Sequence, residues 1–229
     1  MQHIIKTSCF AALFLVGIFI AANSIAQGFL YSSATAFSPN ALQYVVGQQN
    51  VQQINEGDGV TYWGPSGNGV QGTLTYEFNF GAPSTQISLT AWIGAWNFNG
   101  GGLGSGFGTG SSSLWASVNG SSWQLLLNDP TPSDSTATSL TYNQNLPSSL
   151  LGSSSLWIQV DMEENGAPNG GYTVAQFLRQ YSGNPTQYPA FTVDATVVPE
   201  SSTTSLLCIG LAILVLFRRN RLFFRLVQQ

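Results

Sequence analysis

Thr73-Leu74-Thr75-Tyr76-Glu77-Phe78-Asn79-Phe80 alternates polar and apolar side chains without a break. A β-strand turns successive side chains to opposite faces, so this period of two reads as a half-buried strand, not a helix. The rhythm recurs along the chain. Ile87, Leu89, Ala91, Ile93 and Ala95 alternate with Ser88, Thr90, Trp92, Gly94 and Trp96. The same period runs through Leu114, Ala116 and Val118, through Leu156, Ile158, Val160 and Met162, and through Phe191, Val193, Ala195 and Val197. No stretch between residues 27 and 197 sustains a helical period.

Turn chemistry joins these runs. Asn119-Gly120 with Ser121-Ser122 links the strand ending at Val118 to Trp123-Gln124-Leu125-Leu126-Leu127, a strong local hairpin signal because Asn and Gly accept the positive φ that tight turns need. Many short strands punctuated by Gly, Pro and Ser predict an all-β domain over residues 27–197: a single antiparallel β-sandwich of jelly-roll type. The segment Leu114 to Leu125, with its strand, Asn-Gly turn and following Trp, resembles galactose-binding-like and carbohydrate-binding β-sandwiches, and that resemblance implies a sugar as ligand.

The two ends have a different character. Lys6 precedes the apolar stretch Cys9 to Ala22, and Ser24-Ile25-Ala26 closes it with small residues, the pattern of a signal peptide, residues 1–26, cut after Ala26. At the other end Val198-Pro199-Glu200-Ser201 is followed by the apolar run Leu206 to Phe217 and by Arg218, Arg219, Arg221 and Arg225. A run of 12 residues makes about 18 Å of helix, against about 30 Å of bilayer hydrocarbon. Starting the helix near residue 203 and letting the arginines snorkel brings it near the lower limit for a transmembrane helix, with the basic end, 218–225, held on the cytoplasmic side.

The segment 198–229 resembles the PEP-CTERM sorting signal of Gram-negative bacteria. It keeps Val198, Pro199 and Glu200, the apolar helix and the basic end Arg218, Arg219 and Arg221, and it has Ser201 where the family usually has a second Pro. The resemblance implies recognition by a membrane-embedded exosortase, export through the inner membrane, removal of the tail, and residence at the cell surface or in the extracellular matrix, often with exopolysaccharide.

Setting the ends aside sharpens the composition. Of six basic residues, only Arg179 lies between 27 and 197, against nine carboxylates, a net charge of −8. Nucleic acid is excluded as a partner, because phosphate binding needs a basic surface. The single histidine, His3, and both cysteines, Cys9 and Cys208, are in the end segments. The domain therefore has no Ser-His-Asp or Cys-His catalysis, no histidine-ligated zinc and no disulfide.

Candidate site residues follow from phase. Trp92, Trp96, Trp115 and Trp157 alternate with the apolar sets, and Trp115 and Trp157 share their phase with Asn119 and Gln159. Flat indoles beside amides and carboxylates suit sugar rings, whose C–H faces stack while hydroxyls find partners. The same indoles in a covered sheet would be core. Asp161-Met162-Glu163-Glu164-Asn165-Gly166 offers Asp161 and Glu163 on one face as calcium ligands, with a solvated acidic turn as the alternative. No other cofactor is indicated. Asp161 and Glu163 are also the one plausible carboxylate pair for glycoside hydrolysis. The glycines from Gly94 to Gly110 match no phosphate-binding pattern and read as a surface loop, as does Asp129 to Ser135. Tyr172 to Tyr181 fits helix or strand, because Val174, Phe177, Leu178 and Tyr181 are helically spaced between Gly-rich flanks. Arg179, there, is either a buried ion-pair partner or a ligand clamp.

Taken together, the expectation is an exported, non-enzymatic matrix protein held to the membrane by its C-terminal helix until an exosortase-type enzyme processes it, and binding extracellular polysaccharide. A structural or adhesion protein without a defined glycan site is the alternative, and a carboxylate-pair glycosidase the next.

Overall fold

The computed structural model describes residues 26–67, 69–98, 109–130, 137–165 and 172–198. Residues 1–25 of the expected signal peptide, Pro199 and Glu200, the segment expected to form the apolar helix, and Arg218, Arg219 and Arg221 lie outside the described residues. Among the described residues no helix is long and apolar enough to cross a membrane. Gly28–Val197 forms one unit with its own core.

Twelve strands build it: β1 (Gln27–Ser33), β2 (Val45–Gln49), β3 (Val51–Asn55), β4 (Val60–Pro65), β5 (Val70–Asn79), β6 (Ser84–Phe98), β7 (Thr109–Ser117), β8 (Gln124–Pro130), β9 (Ala137–Asn145), β10 (Ser155–Asn165), β11 (Tyr172–Tyr181) and β12 (Phe191–Val197). A seven-stranded sheet runs β1-β12-β6-β11-β4-β3 with β9 on the other side of β6, and a five-stranded sheet runs β2-β5-β10-β7-β8. The two sheets face each other across a common core.

β6 organises the larger sheet. One of its edges pairs with β9 from Ser88 to Trp96. Along its other edge β12 pairs up to Thr90 and β11 pairs from Ile93 onward. Only Ala91 and Trp92 separate these two stretches on β6, whereas the chain from Phe177 to Thr192 makes a long excursion. A bulge starts that excursion: register shifts between Phe177 and Gln180, and Leu178 takes φ 52°. An inserted residue flips the alternation, which is why Val174, Phe177, Leu178 and Tyr181 mimic helical spacing in what is a strand.

The predicted inward sets are the observed core. Leu74, Tyr76 and Phe78 of β5, Ile87 to Ala95 of β6, Leu114 and Ala116 of β7, Leu156 to Met162 of β10 and Phe191 to Val197 of β12 are all buried. Aromatic rings tie the sheets together. Phe191 lies 5.0 Å from Tyr76, 5.2 Å from Phe177 and 5.6 Å from Tyr31, and Tyr31 lies 5.1 Å from Phe78. Tyr76 and Phe78 belong to the small sheet, and the other three to the large one.

Two segments differ from the sequence reading. Gly94 to Phe98, expected to open a glycine loop, continues β6, and Asp129 and Pro130 close β8. β8 is an edge strand, the position in which a sheet accommodates proline. Strands β1 to β4 and β9 carry weaker alternation, too weak to mark them in the sequence.

Between β2 and β3 the chain passes from the small sheet to the large one within a single residue. β2 pairs with β5, β3 pairs with β4, and Asn50 between them has φ 52°. The Ser66 N–H donates to the Asn50 carbonyl at 2.8 Å, and Asn50 Nδ2 donates to the Gln71 carbonyl at 3.3 Å. Gly72 has to be glycine here, since a Cβ would fall 2.7 Å from the Asn50 carbonyl oxygen. Asn tolerates left-handed backbone and β-branched residues do not. Asn50→Val is therefore expected to cost about 1–2 kcal/mol and Asn50→Gly less, since glycine gives up only the Nδ2 bond; urea unfolding midpoints of the two variants measure the difference.

Candidate functional site

The outer face of the five-stranded sheet gathers most of the predicted residues. β10 lies at its centre, with β5 on one side and β7 on the other. Trp157 is opposite Glu77 and Ser117, Gln159 is opposite Thr75 and Trp115, and Asp161 is opposite Thr73 and Ser113. β8 extends the middle row, placing Leu125 beside Trp115. Across the sheet this row reads Thr75, Gln159, Trp115, Leu125. All these side chains belong to the outward phase, because Leu74, Tyr76, Leu114, Ala116, Ile158 and Val160 fill the core.

Hydrogen bonds fix the polar members. Thr73 Oγ1 donates to Asp161 Oδ1 at 2.9 Å, and Gln159 Nε2 donates to Asp161 Oδ1 and Oδ2 at 2.9 and 3.1 Å. Trp115 Nε1 donates to Ser113 Oγ at 2.9 Å, which holds the indole along its own strand. Trp115, Trp157 and Gln159 are each half-buried, while Leu125 is 46% exposed.

The remaining predicted residues go elsewhere. Asn119 is exposed in the β7–β8 turn, where its Oδ1 accepts from the backbone N–H groups of Ser121 and Ser122 and from the Ser121 hydroxyl. Its side-chain carbonyl thus builds the turn. Trp92 is on β6, on the opposite side of the sandwich, 5% exposed and packed edge-on against Tyr188 at 4.8 Å. Trp96 is also on β6, paired with Val174 and Ala137, and its side chain lies outside the described residues. The four tryptophans share a phase along their strands but divide between two sheets, so two of them leave the candidate face.

Arg179 belongs to the Trp92 side. Its guanidinium sits 5.3 Å above the Tyr188 ring, and Nη1 donates to Gln176 Oε1 at 2.7 Å. Tyr188 comes from the excursion between β11 and β12, so arginine, tyrosine and tryptophan stack in series to pin that excursion on the large sheet. The sequence holds no signal for this, because the three residues meet only through pairing across β6.

Glu163 shares the outward phase with Asp161, whereas Glu164 faces the other way. Among the described residues no three His, Cys, Asp or Glu side chains gather as a metal site. Glu164 Oε1 instead accepts the Ala175 N–H of the large sheet at 3.0 Å. Beside it Ser112 makes a second bridge, donating to the Gly94 carbonyl at 2.8 Å and accepting from the Gln176 N–H at 3.2 Å. Burial pushes the Glu164 carboxyl up from 4.5 to about 7, and the Ala175 N–H acts against that rise.

No protein-family model matches the chain, and no curated protein matches it in sequence. Among solved structures it is similar to the carbohydrate-binding module TmCBM61 in complex with β-1,4-galactotriose, at 11% identity and TM-score 0.29, over 71% of this chain and 93% of that one. It is also similar to a chain of the infectious bursal disease virus Gt strain, at 14% identity and TM-score 0.33, over 76% of this chain and 38% of that one. A family 32 carbohydrate-binding module from Clostridium perfringens, in complex with GalNAc-β-1,3-galactose, is similar at 9% identity and TM-score 0.21, over 66% of this chain and 94% of that one. At these TM-scores no ligand is carried over from any of them.

Glu164 has a measurable signature. Its folded pKa is the higher one, so the folded state holds the proton more tightly. The stability it contributes is complete below 4.5, falls as pH rises and is lost above about 7. Glu164→Gln keeps the acceptor for Ala175 and removes the titration. Thermal midpoints measured between those limits should show the wild type losing stability relative to this variant as pH rises.

Proposed function

We propose that this chain is an exported, surface-sorted, non-enzymatic protein of the extracellular matrix whose sandwich binds exopolysaccharide through the outer face of the five-stranded sheet. One observation carries the binding half: Trp115 and Trp157 lie on adjacent strands of a single face, interleaved with Gln159, Asp161, Thr73 and Thr75. An indole held in place by its own Nε1–H bond offers a stacking surface, and the neighbouring amide and carboxylate are already oriented by Thr73 and by one another. Preorganised donors and acceptors around an aromatic plate are what a polyhydroxylated ring requires.

The sorting half rests on the sequence of the two ends. A leader ending at Ala26 and a tail with Val198-Pro199-Glu200, an apolar run and four arginines support export, transient anchoring and processing by an exosortase-type enzyme. The non-enzymatic part is supported by a domain without histidine or cysteine and by Asp161 already accepting from two neighbours.

Electrophoresis of the full-length chain, in mild detergent, through gels containing dissolved polysaccharides tests the binding reading. Retardation is expected with at least one polymer, and weaker retardation for Trp115→Ala and for Gln159→Ala. No retardation by any neutral or acidic polysaccharide, with or without calcium, overturns it. For sorting, the intact mass of protein recovered from the cell surface is expected to lack residues 1–26 and the arginine-bearing tail.

A further inference from the structure

Resting on that glycan-binding reading, we infer that the outer face of the five-stranded sheet takes a neutral polysaccharide, and that Trp115 rather than Trp157 is the ring on which its sugars stack. Charge decides the first half. The ionisable side chains in the outward phase of β5 and β10 are Glu77, Asp161 and Glu163, all carboxylates. The sole basic residue between 27 and 197 is Arg179, on β11 of the other sheet. A polymer of uronates would bring its own carboxylates against Glu77 and Asp161, and among the described residues of β5, β7, β8 and β10 none is basic; like charges placed across an interface select against a partner.

Neutral sugars bring the opposite complement. Their hydroxyls donate, and carboxylates are acceptors with about four lone-pair positions. Asp161 uses three contacts on Thr73 and Gln159, which leaves acceptor capacity held in a fixed orientation. The Gln159 Nε2 bonds to Asp161 leave its carbonyl oxygen as a further acceptor beside Trp115.

Ring access decides the second half. The Asn119-Gly120 turn folds back onto Trp157: a Cβ on Gly120 would fall 3.1 Å from Trp157 Cδ2 and Cε2 and 3.3 Å from Cε3. The turn backbone therefore lies against the middle of the indole, where a sugar would stack, and Gly120, at φ 69°, is the residue that lets it approach. Trp157 is the wedge that seats the β7–β8 turn. Trp115 is held differently: its Nε1–H is tied to Ser113 within its own strand, and its cross-strand neighbours are Gln159 and the 46% exposed Leu125. A polar edge on one side and an apolar one on the other match the two kinds of surface a pyranose ring presents.

The test uses the full-length chain in detergent, run through gels containing a neutral galactan, a neutral glucan, polygalacturonate or alginate, all with EDTA. Retardation by a neutral polymer is expected, nearly unchanged between about 20 and about 500 mM salt because no ion pair is screened, with none by the two acidic polymers. Trp115→Ala is expected to weaken binding about tenfold at an unchanged thermal midpoint. Trp157→Ala is expected to lower the midpoint, and Trp157→Phe, which keeps a ring for Gly120 to cover, to lose less affinity than Trp115→Ala does. Retardation by an acidic polymer in EDTA overturns the neutral-ligand inference, and a larger loss in Trp157→Phe than in Trp115→Ala overturns the assignment of the stacking ring. In both of those cases the glycan-binding reading stands, because a polymer is bound. Retardation by no polymer overturns both.

Discussion

The fold depends on a knot of aromatic rings packed between the two sheets, most of them edge to face. Tyr76 and Phe78 project from the small sheet into Tyr31, Phe177 and Phe191 of the large one, with ring centroids 5.0 to 6.4 Å apart. Each well-oriented pair adds about 0.5–1.5 kcal/mol beyond the area it buries. With no cysteine between residues 27 and 197, this contact holds the sheets without any disulfide. The five rings come from β1, β5, β11 and β12, far apart in sequence. Their meeting therefore sets the order of strands as well as the strength of the core.

With the sheets locked face to face, each strand has one inner and one outer side, and the outer sides became two distinct surfaces. The five-stranded one is acidic, with a hydrogen-bonded patch of Trp115, Gln159, Asp161 and Thr73. The seven-stranded one is covered where the β11–β12 excursion lays Tyr188 on Trp92 and Arg179 on Tyr188. The only basic residue between 27 and 197 thus packs on an aromatic ring of the covered face. Among the described residues the five-stranded face carries a single sign of charge.

Much of the core was legible because a strand's side-chain period is two. Leu74, Tyr76 and Phe78, and Ile87, Leu89, Ala91, Ile93 and Ala95, could be read as inward from alternation alone, and all are buried, while Trp92 of the opposite phase is buried by Tyr188 on the other face. Alternation fails where the backbone is irregular. The bulge at Leu178 gave β11 a helical rhythm, the crossing at Asn50 split one extended run between two sheets, and the end of β6 looked like the start of a loop because Gly94 has no side chain to show its phase. A Cβ at Gly94 would meet the Trp92 ring at 2.5 Å, so the missing side chain serves packing on the outer face.

What the sequence determined by itself is which side chains turn inward, that the domain is all-β, and that it is acidic and free of histidine and thiol. These are local or additive properties, carried by period and composition. Only the tertiary structure decided which outward residues share a surface. Phase says that Trp92, Trp115 and Trp157 point away from the core of their own strands, but the partner of each strand is chosen by non-local pairing. Pairing put Trp115 and Trp157 on one sheet and Trp92 on the other, and the return of the Asn119-Gly120 turn onto Trp157 distinguished two indoles that alternation had made equivalent.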